Sequence, residues 1–195
     1  GAQAVTRSPQ GATVLAAGQK VELTGRGLEG IRLEVQAPGN QAVNLGTLQG
    51  DAVGIFAGTL RHSGLVHASA ATVQGGRVVL KAGSDALVDG TVTARAAERG
   101  GSDGVVGQRG GLLAGATLDA SGAQGGGQVR VGGDYQGANA QVPNADRTYV
   151  DAAAAIRADA VQQGDGGRVI VWSDEVTRTH GQISARGGAE GGEGG

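Results

Sequence analysis

The chain has no cysteine, which excludes thiolate metal sites and disulfide staples and leaves a folded form to be held by its core alone. Aromatic residues are nearly missing too. Phe56, Tyr135, Tyr149 and Trp172 are the whole set, too few for a platform on which nucleic-acid bases stack. A formal net charge of −2 gives no basic footprint for nucleic acid or an anionic bilayer. There is no apolar run of the roughly 18 residues that a membrane-spanning helix needs. Neither nucleic-acid binding nor membrane insertion is therefore expected. His62, His67 and His180 lack the i, i+4 spacing of a helical zinc pair. No signal peptide stands before Gly1, and the chain stops inside Gly191-Gly192-Glu193-Gly194-Gly195, where another corner and strand would follow. The expectation is a piece excised from a longer protein, with no cofactor and no metal.

What the chain has in quantity is glycine, 40 residues of 195, against three prolines and without a collagen triplet. The 39% of residues that are hydrophobic fall on a fixed period, which a disordered low-complexity segment does not do. The run Gly64-Leu-Val66-His-Ala68 returns around Val92 and Ala94, Leu118 and Ala120, Ile156 and Ala158, and Ile183 and Ala185. The aliphatic residue advances by 26, 26, 38 and 27 residues, a coil length with one longer unit. Aliphatic and alanine are two apart, so in a strand they share the buried face, while His67, Thr93, Asp119, Arg157 and Ser184 between them point outward.

A second phrase runs half a period out of step: Gly75-Gly76, Gly126-Gly127 and Gly166-Gly167 each precede a β-branched strand. Each coil should therefore contain at least two strands and a glycine corner, where chains approach too closely for a side chain. The reading is an all-β solenoid in a single domain, 1–195, with roughly seven coils of about 26 residues, about 35 Å long at 4.8 Å per strand.

Three motifs invite other readings. Gly25-Arg-Gly27-Leu-Glu-Gly30 matches a dinucleotide fingerprint, but the period-2 run from Ile31 to Ala37 follows it where a helix is required, so the segment reads as a turn and a strand. Gly164-Asp165-Gly166-Gly167 and Gly100-Gly101-Ser102-Asp103-Gly104 look like calcium-binding turns, yet no tandem nonapeptide accompanies them. For glycan cleavage two carboxylates must share a face; Asp119 and Asp159 fall in adjacent columns on opposite faces, and no enzyme is expected.

The long unit carries an insertion, placed at 137–150, with Tyr135, Tyr149 and Trp172 at or beside it. Such loops emerge on one side of a solenoid and are common binding sites. Tyr135, Asn139, Asn144, Arg147, Tyr149 and Trp172 form the candidate partner-binding set; alternatively the rings pack the loop onto the rod.

The segments GGDYQG at 132–137, TYVD at 148–151, GDGGRVIVWSD at 164–174 and ISARGG at 183–188, with LAAGQKVELTG at 15–25 and DASGAQGGG at 119–127, resemble the filamentous haemagglutinin family. These are large exoproteins of bacterial two-partner secretion. The resemblance implies a right-handed parallel β-helix, export through an outer-membrane β-barrel transporter, and work as an adhesin, secreted or at the surface of a Gram-negative bacterium. The asparagine-proline-asparagine-glycine motif of the family's secretion domain is absent, so the piece reads as the end of that domain running into the shaft. The expected function is a structural shaft segment that presents adhesive regions to a host cell surface receptor or glycan. The alternatives are a receptor- or glycan-binding module using the inserted loop, and a β-helix polysaccharide lyase or hydrolase.

Overall fold

The computed structural model describes residues 5–17, 20–22, 32–34, 41–68 and 76–195. Strands recur in threes, one for each face of a coil. β1 (Val5–Ala16) runs along two faces of the opening coil; after β2 (Lys20–Glu22) and β3 (Arg32–Glu34), β4 (Gln41–Asn44) supplies the third. β5 (Thr47–Ala57) again spans two faces and β6 (Thr59–His62) the third. From there the faces separate into β7 (Leu65–Ala68), β8 (Arg77–Ala82) and β9 (Asp85–Val88), then β10 (Thr91–Thr93), β11 (Ser102–Val106) and β12 (Arg109–Leu112). The next two coils are β13 (Thr117–Asp119), β14 (Gln128–Val131) and β15 (Arg147–Val150), and β16 (Ala155–Arg157), β17 (Arg168–Val171) and β18 (Val176–Thr179). β19 (Gln182–Ser184) begins the seventh.

Successive coils pair in parallel, strand on strand, and the expected parallel β-helix is what the chain forms. Because β1 and β5 each bend across two faces, those faces join into one eleven-stranded sheet; the third face is a separate sheet of six. β2 and β3 pair antiparallel as a sheet of their own, so the strand expected after the glycine-rich turn exists but does not join the stack. The turn itself, 25–30, lies outside the described residues.

On the first face Leu48, Val66, Val92, Leu118 and Ile156 sit in register, and the last four are at most 1% exposed. Ile183 continues the column but is 47% exposed, because no strand stacks over β19; full burial of that residue, expected from the pattern, is not reached. Val169 and Ala185, at the same end, are only partly buried. The sequence pattern does not separate the third strand of each coil, because one of its two inward columns reads Leu60, Ala86, Gly110, Thr148 and Thr177, a set without one chemical character, and only the other carries the buried Val88, Leu112 and Val150.

Alanine and glycine phrases turn out to be one device. The alanine carbonyl closes its own corner by accepting from the second glycine of the pair: Gly101 N to Ala94 O is 2.7 Å, Gly127 N to Ala120 O 2.8 Å, and Gly167 N to Ala158 O 2.6 Å. That carbonyl also lies against the first glycine one coil back, so a Cβ on Gly126 would collide with Ala158 O and the Gly167 backbone.

Candidate functional site

The excursion from the long coil spans 132–146; residues 147–150, which the sequence reading assigned to it, are strand β15. It leaves the rod at the corner between β14 and β15. Asp134 organises its start. One carboxylate oxygen accepts from Tyr135 N at 2.8 Å, and the other accepts from Asn139 Nδ2 at 2.8 Å and pairs with Arg130 at 3.1 Å. The Asn139 hydrogen bond is the main reason this carboxyl titrates below the usual aspartate range.

Trp172, on the next coil, latches the excursion down. Its indole Nε1 and Asn144 Nδ2 both donate to Asp174 Oδ1, each at 3.1 Å, and Asn144 also donates to Gly137 O at 3.2 Å. A Cβ on Gly133 would stand 2.9 Å from the Trp172 ring, and one on Gly137, whose φ is +63°, would stand 3.0 Å from Trp172 Nε1. The glycines and tryptophan of GGDYQG and VWSD are therefore the two sides of one contact. Tyr135 remains 57% exposed, with the Arg168 guanidinium 5.1 Å from its ring centre.

The six candidate residues thus divide. Asn144 and Trp172 hold the excursion to the rod through Asp174, Asn139 braces it internally through Asp134, and Tyr135 stands at its base. Arg147 and Tyr149 belong instead to the outer surface of the third face, where sequence reasoning placed no site. Tyr149 registers over Gly111, which in turn registers over Leu87; above it stands Arg178. Arg147 registers on Arg109, in the neighbouring outward column.

Because residue 111 has no side chain, a recess of about 430 Å³ opens between Leu87, Leu113, Tyr149 and the arginines 109, 147 and 178. Arg109 is held by Asp85 (Nη2 to Oδ2 2.9 Å), which raises its pKa further, and Arg147 by Glu175 at 3.3 Å. The Tyr149 hydroxyl donates to Asp151 at 3.1 Å, pushing its own pKa up, and its ring lies 6.1 Å from that of His180 at 59°. Arg109 and Arg178 carry no spacing signal in the sequence: Arg109 meets Arg147 across a 38-residue step and Arg178 meets Tyr149 across one of 29.

The paired-carboxylate question has a structural answer. Asp119 Oδ1 accepts from Ser121 N at 3.0 Å, and Asp159 Oδ1 accepts from Arg186 N at 2.7 Å and from the Ser184 hydroxyl; both close corners. Among the described residues no three histidine, aspartate or glutamate side chains are grouped as metal ligands.

No protein-family model matches the chain, and no curated protein matches it in sequence. Among solved structures it is similar to the HMW1 secretion domain from Haemophilus influenzae, with a TM-score of 0.82 and 28% identity over 98% of this chain. The chain spans half the length of that structure.

Proposed function

We propose that this chain, an exoprotein segment of the filamentous haemagglutinin type of two-partner secretion, is a coil stack that serves export and founds the shaft of a bacterial adhesin. In this reading it engages an outer-membrane β-barrel transporter, and outside the cell its coils extend and present adhesive regions for attachment to a host receptor or glycan. The observation that carries it is the likeness to a secretion domain over 98% of the chain, coupled to a rod in which each coil templates the next. The shaft role draws on the same geometry: parallel strands add length, and the core runs as unbroken columns from Leu48 to Ile156.

The test is export of the parent exoprotein in cells carrying its transporter. With the segment intact the exoprotein should reach the medium; with Val92→Asp, which places a carboxylate in the core, secretion should fall to a small fraction. Undiminished export after removal of the whole segment would overturn the export reading.

A further inference from the structure

The outer surface of the third face gathers three guanidiniums around an exposed aromatic ring and a recess. Arg109 and Arg147 stand directly in register on neighbouring strands, about 4.8 Å apart, their like charges offset by Asp85, which also lines the recess, and by Glu175. Arg178 adds a third guanidinium one strand further and has no ion pair among the described residues. Between them the Tyr149 ring, 39% exposed, is held outward by its hydroxyl bond to Asp151 and by His180 beside it. Below the ring, Gly111 opens the recess floored by Leu87 and Leu113.

We propose that this recess binds an acidic saccharide, with the apolar face of one sugar stacked on Tyr149 and a carboxylate received by Arg178, while Arg109 and Arg147, tied to Asp85 and Glu175, line its rim. A guanidinium fork suits a planar carboxylate, and an amphipathic ring suits a ligand with one apolar and one polar side. The volume, about 430 Å³, is in the range of small-ligand sites. An extended acidic peptide is the competing ligand. It would gain its affinity from main-chain hydrogen bonds at a sheet edge; β9, β12 and β15 are paired on both flanks, and of the strands around the recess only β18, which carries Arg178, offers an edge, so hexaglutamate is the control that separates the two ligands. The proposal is independent of the export reading, since Arg109, Arg147, Tyr149 and Arg178 all stand at exposed positions of their strands.

Isothermal titration of the full chain tests it, using a tetrasaccharide of alternating glucuronate and N-acetylglucosamine, the neutral N-acetylglucosamine tetramer, and hexaglutamate. The acidic tetrasaccharide should bind and the neutral one should bind at least about tenfold more weakly. Arg178→Ala and Tyr149→Ala should each lower affinity by about tenfold or more, while Tyr149→Phe keeps it, and none should shift the thermal melt by more than a degree or two. Absence of binding by the acidic tetrasaccharide, binding indifferent to both alanine substitutions, or equally tight binding of hexaglutamate would each overturn the assignment.

Discussion

Asp103 occupies a place in the core that its chemistry makes costly. It sits in register between Val78 and Val129, is fully buried, and neither carboxylate oxygen has a hydrogen-bond partner. Burial, and secondarily the charge of Asp119, push its pKa well above the ordinary 3.8. The sign follows from linkage. A raised folded-state pKa leaves stability intact below pH 3.8 and removes it progressively as pH climbs through the folded value. Asp103→Val, matching the valines on either side, should therefore melt higher than the parent. The gain is about 1–3 kcal/mol where the acid is neutral and larger at pH 8. Melts at pH 4 and pH 8 check this; a gain that does not grow with pH would mean the carboxyl is not held in the core. His62 acts in the other direction. It is buried, its Nδ1 meets Asn44 Nδ2 at 3.2 Å and its Nε2 lies 3.1 Å from Thr91 O, and burial lowers its pKa below 6.5. The neutral ring is the folded form, so stability should fall as pH drops below 6.5, and His62→Leu should flatten that acid limb in a pH series of melts.

Strands differ in how much they bear, and the difference is testable by substitution. Val92→Asp on β10 buries an unpaired carboxylate in a fully enclosed column and should cost several kcal/mol, unfolding the adjacent coils. Thr93→Asp, one residue on, faces outward and should shift stability by about 1 kcal/mol or less even with Asp119 in register beside it. Ile183→Asp, which the sequence pattern ranks with Val92, should be mild because β19 is half exposed. Urea denaturation of the three variants decides the order. For the excursion, Trp172→Ala removes the ring that seats Gly133 and Gly137 and should raise proteolytic cleavage between 134 and 144 while leaving the rod folded. Limited proteolysis followed by mass spectrometry reads this directly.

As a whole the molecule is a one-dimensional stack, and its stability should be graded along its length. The coils from β7 to β15 have fully buried columns, whereas the outward and inward residues of β18 are all exposed and Val169 and Val171 on β17 are partly so. Amide hydrogen exchange should be slowest in β8 through β14 and fastest in β17 through β19, as nearest-neighbour stacking requires. Equal protection throughout would mean that the terminal coils are supported in a way this stack does not show. Far-UV circular dichroism should give a strand spectrum that melts cooperatively.

The architecture is written in the order of residues alone, because a β-helix repeats one local rule. Strand alternation buries Val66, Val92, Leu118 and Ile156, and close coil contact demands glycine at 100, 126 and 166, so both appear as periods that can be counted. Two of the segments that carry the family resemblance are joined by one contact, of Trp172 with Gly133 and Gly137. Contacts that form only when the coils stack lie where the period breaks. The 38-residue step hides the register that puts Arg147 on Arg109 and Tyr149 over Gly111, so the third-face recess could not be assembled from spacing. Asp103, flanked by turn-like glycines, carries no sign in the sequence of pointing inward; its burial follows from the valines stacked against it in coils 25 and 26 residues away.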